Sequence, residues 1–190
     1  SYLGGMGESY NLNFSRPASG IYVQYYKFLR YGIAGYQTIC DHMMTHAHKI
    51  REGLGKMKFE GKARFTILDD GDKNCLPVVT AMLNPECNFE YDDIDLQHAI
   101  SEHNWYVSGY RMNFEDPITK QDKPIFTDQD GSKTMFRIVV KSNINSVMVD
   151  NLIDSFGKTL EMLDSIEFKN KANGTFKGMH RKKNLFSKHC

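Results

Sequence analysis

Apolar residues recur at helical spacing in three stretches of the chain. Residues 18–58 contain no proline, so their pattern predicts one long helix, or two helices joined near Gly32 and Gly35. Residues 92–100 begin with two aspartates, which favour the positive end of a short helix. Residues 147–166 carry an apolar stripe and predict a closing helix.

Four further stretches have the residue pattern of β-strands: residues 64–68, 76–83, 105–114 and 134–140. Residues 10–14 predict one more short strand after a glycine-rich loop. The turn-rich segment 69–74 predicts that the strands on either side of it are antiparallel. The polar residues 115–133 contain two prolines and predict a long loop. This order of elements favours a small antiparallel or mixed sheet with helices on one face, an α+β arrangement.

The composition is that of an ordinary globular protein, with 41% hydrophobic and 25% charged residues among 190, and this excludes a disordered chain. The formal net charge of +1 excludes the long-range field typical of proteins that bind nucleic acids or membrane surfaces. The sequence contains no apolar run long enough to span a membrane and no signal peptide. Its four cysteines are widely spaced, which favours reduced thiols and a cytoplasmic location.

Positive charge is concentrated in residues 167–190, which hold seven Lys or Arg and one acid, Glu167. This tail therefore carries a formal charge of about +6, and the net charge of +1 leaves about −5 for residues 1–166. The tail has no interleaved aromatic residues on a folded platform, so we expect no nucleic-acid partner.

Possible metal ligands occur in two places, and neither pattern predicts a metal site. His42, His46 and His48 lie on the first predicted helix, and the first two are four residues apart, a spacing that can bring two imidazoles to one metal. The His-Glu-x-x-His motif, however, has a glutamate where Met43 stands, and a solvated helix face is favoured. The aspartates around Gly71 and Gly131 lack the twelve-residue frame of a calcium loop and are interpreted as plain turns.

Two positions are candidates for binding an anion. Arg137 interrupts an apolar strand, where a charge is costly unless it is paired or bound to an anionic ligand. An internal salt bridge and a carboxylate-binding role are equally open for it. Ser15 and Arg16 precede a predicted helix N-terminus, where a hydroxyl and backbone N–H groups can bind an anion such as phosphate. Composition alone favours simple helix capping there.

Short sequence blocks with a specific order and spacing cover nearly the whole chain. They are residues 2–5, 13–18, 24–32, 35–36, 76–79, 91–92, 105–107 and 135–138. In these blocks, most strongly over residues 1–36, the chain resembles bacterial-type glutamate decarboxylase, a group II decarboxylase dependent on pyridoxal 5′-phosphate (PLP). The resemblance implies an α/β fold, the C-terminal part of an aspartate-aminotransferase-like enzyme of fold type I.

The resemblance also implies a domain organisation and an activity. Residues 1–35 would end the large PLP-binding domain and start a linking helix, residues 36–166 would form the small domain, and residues 167–190 a flexible tail. The implied reaction converts L-glutamate to 4-aminobutanoate (GABA) and CO2, as part of acid resistance, in a homodimer or higher homo-oligomer. The family's Schiff-base lysine lies in a Ser-x-His-Lys motif that does not occur here, so this segment alone should be inactive. Alternatives are a PLP decarboxylase of another amino acid, or a non-catalytic dimerisation or anion-binding module.

By the same resemblance, individual residues take functional roles. Arg137 would hold the α-carboxylate of the substrate, while Phe14 and Ser15 would reach the PLP phosphate in the neighbouring subunit. His189 is similar to a penultimate histidine that enters the active site near neutral pH, where it is unprotonated; a merely disordered tail is the equal alternative. Plant relatives bind calmodulin through a similar basic tail, but this one has two glycines and no tryptophan, so we do not expect that partner.

Overall fold

The computed structural model of the chain describes residues 17–69, 71, 75–111, 113–115, 118, 122–124 and 133–172. For residues 113–115, 122–124 and 167–172 it describes the backbone. The predicted strand over residues 10–14 lies outside these ranges.

Within the described residues, the predicted helices and strands occur in the predicted order, with further short strands between them. They are α1 (Ser19–Lys56), β1 (Lys58–Phe59), β2 (Lys62–Ala63), β3 (Phe65–Ile67), β4 (Val78–Leu83), a 3₁₀ helix (Pro85–Cys87), α2 (Asp93–Ser101), β5 (Ser108–Arg111), β6 (Asn113–Glu115), β7 (Asp122–Pro124), β8 (Thr134–Val139) and α3 (Ser146–Ala172). No described helix has the length and hydropathy of a transmembrane span.

The first helix is divided by Gly32, which is one of the two alternatives that the sequence left open. The φ of Gly32 is 57° and its ψ is −170°, a backbone conformation that only glycine adopts readily. The C-terminal part of α1 packs into the core through Ala47, Ile50 and Leu54. The part before Gly32 instead exposes large apolar side chains, such as Tyr22, which is 71% exposed.

Four strands form one fully antiparallel sheet in the order β3-β4-β8-β5. The predicted antiparallel pairing of the first two strands is therefore confirmed. Alternate residues of these strands face the helices, because successive side chains of a strand point to opposite faces. The core-facing strand residues are Phe65, Val79, Ala81, Leu83, Phe136 and Ile138. They pack with α1, α2 and α3 in one hydrophobic cluster.

Two aspartates at the start of helix α2 have different roles, and one of them attaches the helix to the sheet. Asp92 is its N-cap and accepts hydrogen bonds from the N–H groups of Ile94 and Asp95, at the helix end where the sequence predicts that acids are favoured. Asp93 is 2% exposed and forms hydrogen bonds with the two central strands of the sheet, β4 and β8. The helix lies so close to β5 that a Cβ on Gly109 would stand 2.6 Å from the Asp93 carbonyl oxygen.

Several elements differ from the sequence prediction. β1 and β2 form a small hairpin that the prediction lacks; Glu60 and Gly61 both have positive φ there, as a type I′ turn requires. The prediction of a single strand over residues 105–114 is wrong. Arg111 pairs with Thr134, the first residue of β8, so the four-stranded sheet offers no partner to residues beyond Arg111. The chain continues as β6, which pairs with β7, and β7 lies inside the predicted loop over residues 115–133.

The last helix is longer than predicted. The pattern predicts its end at residue 166, whereas α3 runs to Ala172, six residues into the segment interpreted as the tail. The remaining tail residues, 173–190, lie outside the described residues.

Candidate functional site

Arg137 lies on the sheet face opposite the three helices. Its neighbours along β8, Phe136 and Ile138, point into the core, so the Arg137 side chain points to the other face. Met82 and Met135 share that face and are 7% and 8% exposed. Together with Tyr110 they form a second cluster, to which no described helix residue contributes. We call this face of the four-stranded sheet the outer face.

Strand register places hydroxyl groups on both sides of Arg137. Its direct partner on β4 is Thr80 and its direct partner on β5 is Ser108. Directly opposite residues of antiparallel strands have their side chains on the same face. All three side chains are partly buried. The outer face therefore carries a cation between two hydrogen-bonding side chains.

Tyr110 completes this arrangement. The Arg137 Cζ atom lies 5.8 Å from the centroid of the Tyr110 ring, within the range of a cation–π contact. Burial raises the pKa of the Tyr110 hydroxyl above its ordinary value, and the positive charge of Arg137 opposes that effect. The phenol is therefore neutral at physiological pH, and its ring is the surface that the guanidinium meets.

The position of Thr80 is set by an ion pair from α1. The Arg51 Nε donates to Asp69 Oδ1 at 2.7 Å, and the Thr80 N–H donates to the other carboxylate oxygen at 2.7 Å. The ion pair is largely shielded from water, with side-chain exposures of 13% and 20%. Asp69 therefore links α1 to β4 just after the end of β3.

A second ion pair fixes the opposite side of the sheet and has no signal in the sequence. Arg64 donates hydrogen bonds to the Tyr91 hydroxyl and to the Asp164 carboxylate of α3. Its guanidinium lies 5.0 Å from the ring centroid of Phe59 and 5.1 Å from that of Phe89. The network joins β2–β3, the loop before α2, and α3. This network is structural, because its charged groups are buried within the fold. The residues that it joins are far apart in the sequence.

The other residues singled out from the sequence are placed as follows. Phe14, Ser15 and His189 lie outside the described residues, so their predicted roles stay predictions. The solvated helix face predicted for the histidines is wrong for His46, which is 7% exposed, because α1 turns this position toward the core. Within the described part of the chain, no three His, Cys, Asp or Glu side chains are placed to hold a metal ion.

Chemically, the outer face suits a carboxylate. A guanidinium has a planar set of N–H donors that matches the two oxygens of a carboxylate. The apolar side chains of Met82 and Met135 lower the local dielectric constant beside Arg137, which strengthens such a contact. The sequence left a salt bridge and a carboxylate ligand equally open for Arg137, and its role stays a prediction.

Comparison with known proteins gives several relatives of one kind. Glutamate decarboxylase beta of Listeria innocua is 30% identical over 165 residues, 87% of this chain and 31% of that protein. Glutamate decarboxylase of Lactococcus lactis is 31% identical over 166 residues, 86% of this chain and 31% of that protein. No protein-family model matches the chain.

The structural comparison agrees. Glutamate decarboxylase of Lactobacillus brevis superposes with a TM-score of 0.63 at 27% identity, over 80% of this chain and 30% of that one. The predicted resemblance is therefore confirmed, and so is the predicted fold, the α/β fold of a segment of a glutamate decarboxylase. The chain spans about 31% of the length of the curated relatives it matches.

Proposed function

We propose that this chain, a relative of a segment of the glutamate decarboxylases, is the C-terminal, substrate-orienting part of an enzyme that converts L-glutamate to GABA and CO2. In this role Arg137 binds the α-carboxylate of the substrate. The observation that carries the proposal is the position of Arg137 on the outer face, between Thr80 and Ser108 and against the Tyr110 ring.

The reaction replaces the α-carboxylate by a proton at the same carbon, and the carboxylate departs as neutral CO2. When bound, PLP supplies an electron sink for the electron pair left on that carbon. The negative charge that Arg137 would bind is lost as CO2 forms. Its contribution to the rate must therefore come from orienting the bond that breaks, rather than from stabilising charge in the transition state.

PLP itself is part of the proposal through residues that the structure does not describe. Phe14 and Ser15 would contact its phosphate in the neighbouring subunit of a homodimer. Among the described residues, the planar donor set of Arg137 fits a carboxylate, which is the group that the substrate presents. The Schiff-base lysine would come from a part of the enzyme beyond these 190 residues, so the segment alone is expected to be inactive.

The surface of α1 supports a larger assembly. Ile21, Tyr22, Leu29 and Ile33 are each at least 69% exposed. A helix that exposes large apolar residues on several sides is normally covered by other protein. This observation also favours the second candidate function, a non-catalytic dimerisation module. A 190-residue chain that is monomeric by light scattering would contradict that second candidate.

The proposed function is tested by CO2 release from carboxyl-labelled L-glutamate with the full-length protein that contains this segment, with added PLP, from acid to neutral pH. We expect Arg137→Met to lower kcat/KM by on the order of 10²-fold, about 3 kcal/mol, without unfolding the protein. The matched control is Lys141→Met, which removes an exposed cation just beyond β8 and should leave kcat/KM unchanged. A near-wild-type Arg137→Met enzyme would show that the arginine is structural.

The tail adds a regulatory element to the proposal. His189 would close the active site near neutral pH, because only the unprotonated imidazole is a nucleophile, and protonation in acid would release it. Such an enzyme would act in the cytoplasm during acid stress. We expect His189→Ala to keep its activity at neutral pH where the wild type loses it; equal pH profiles would rule out this gate.

A further inference from the structure

We propose that Tyr110 is a positioning residue, whose ring holds the Arg137 guanidinium in place for a carboxylate ligand. This role rests on the proposed function, in which Arg137 binds the substrate. Tyr110 itself contacts the arginine rather than the reacting atoms.

The strand register brings the two side chains together. Tyr110 is directly opposite Met135, and Arg137 is directly opposite Ser108. Tyr110 and Arg137 are thus diagonal neighbours across β5 and β8, and side chains as long as these two reach each other at that spacing. The distance of 5.8 Å between the Arg137 Cζ and the Tyr110 ring centroid shows that they do.

Tyr110 can act as a platform because its own position is held by buried side chains. Met82 of β4 and Met135 of β8 pack against its ring, and both are more than nine-tenths buried. The ring therefore lies against two strands that are hydrogen-bonded to each other. It has less freedom to move than a tyrosine on an open surface.

An arginine needs such a support more than most residues. Its side chain has several rotatable bonds, and ordering them on binding a ligand costs conformational entropy. A ring beneath the guanidinium restricts these bonds before the ligand arrives. Since the Tyr110 hydroxyl is neutral, the contact uses the ring face, and the hydroxyl group is not required.

The variants that test this role separate the ring from the hydroxyl. In the full-length protein, Tyr110→Phe should keep wild-type kinetics, because it keeps the ring. Tyr110→Leu should raise the KM for L-glutamate roughly 10-fold with a smaller change in kcat, since a misplaced guanidinium binds the carboxylate poorly. It should weaken binding of the non-reacting dicarboxylate glutarate, measured by calorimetry, by a similar factor. Tyr106→Leu is the matched control, because Tyr106 is 82% exposed, and it should change neither quantity.

A double-mutant cycle shows whether Tyr110 acts through Arg137. In an Arg137→Met background, Tyr110→Leu should have no further effect on kcat/KM. If Tyr110→Leu unfolds the protein by circular dichroism, Tyr110→Met, which keeps most of the apolar volume without the ring, takes its place.

Two results would overturn the positioning role and leave the function of Arg137 intact. The first is a wild-type KM and glutarate affinity in Tyr110→Leu. The second is that Tyr110→Leu lowers kcat/KM equally in the wild-type and Arg137→Met backgrounds. Wild-type kinetics in Arg137→Met alone would overturn the proposed function and the positioning role together.

Discussion

The Asp93 carboxyl provides a test of the fold that does not depend on activity. Asp93 is the first residue of α2 and is 2% exposed. Its Oδ1 accepts a hydrogen bond from the Leu83 N–H at 2.9 Å, and its Oδ2 accepts one from the Thr134 hydroxyl at 2.8 Å. The carboxyl therefore joins α2 to the end of β4 and the start of β8.

Burial and hydrogen bonding act on this carboxyl in opposite directions. The two hydrogen bonds favour the ionised form, but desolvation is the larger effect, and the negative charge of Asp92 adds to it. The pKa of Asp93 is raised from 3.8 to about 6. The folded chain consequently holds this proton more tightly than the unfolded chain does.

The sign and size of the stability change follow from that shift. Stability from the protonated carboxyl is fully present below about pH 4, and it is lost as the pH rises through about 6. A shift of roughly two units corresponds to about 3 kcal/mol, of which about 2 kcal/mol falls between pH 4 and pH 7. Asp93→Asn is neutral at every pH and keeps an oxygen that can accept from the Leu83 N–H.

The measurement is urea unfolding of the wild type and of Asp93→Asn from pH 4 to pH 7. We expect the wild type to lose about 2 kcal/mol of unfolding free energy relative to the variant over this range. Asp154→Asn is the matched control, because that carboxylate is 62% exposed and paired with Lys158 on the same helix. Its difference from the wild type should stay nearly constant. Parallel curves for Asp93→Asn and the wild type would refute the desolvation argument.

Three further changes test the packing that supports the site. Asp164→Ala leaves the buried Arg64 guanidinium without its carboxylate partner and should lower the free energy of unfolding in urea by about 3–5 kcal/mol. The exposed control Asp154→Ala should lower it by less than about 1 kcal/mol. Equal losses would show that the buried network contributes little to stability. Gly109→Ala should destabilise the fold by about 1–3 kcal/mol, because the new Cβ would stand 2.6 Å from the Asp93 carbonyl oxygen. Gly157→Ala, at a position with open space on α3, should instead stabilise the fold by up to about 1 kcal/mol. Gly32→Ala should lower the thermal midpoint, because alanine is strained at a φ of 57°; an unchanged midpoint would mean that the bend in α1 relaxes freely.

Several features of the fold could be predicted because their signals are local. The helical spacing in residues 18–58 depends on neighbouring residues, and that prediction is confirmed. The antiparallel pairing of β3 and β4, predicted from the turn-rich segment between them, is confirmed as well. Gly32 marks the bend in α1 for the same reason. The strand predicted over residues 105–114 is wrong in extent because strand ends depend on a partner: β5 stops at Arg111, where β8 begins.

The buried charges illustrate what local signals omit. Arg64 is the first residue of the strand predicted over residues 64–68, and nothing near it in the chain indicates burial. Its partner Asp164 lies on the last helix, and the contact exists only after α3 packs on the sheet. His46 is buried for a similar reason, since the helical pattern alone does not show which face of α1 the core covers.

The sequence by itself determined the kinds of elements, their order, the resemblance to glutamate decarboxylase, and the unusual position of Arg137 in an apolar strand. Tertiary structure alone decided what surrounds that arginine. Thr80, Ser108 and Tyr110 come from strands distant in the chain, and the register of β8 between β4 and β5 brings them together. Because side chains alternate along a strand, a shift of one residue would turn Arg137 into the core. The site therefore depends on long-range pairing that no local pattern contains.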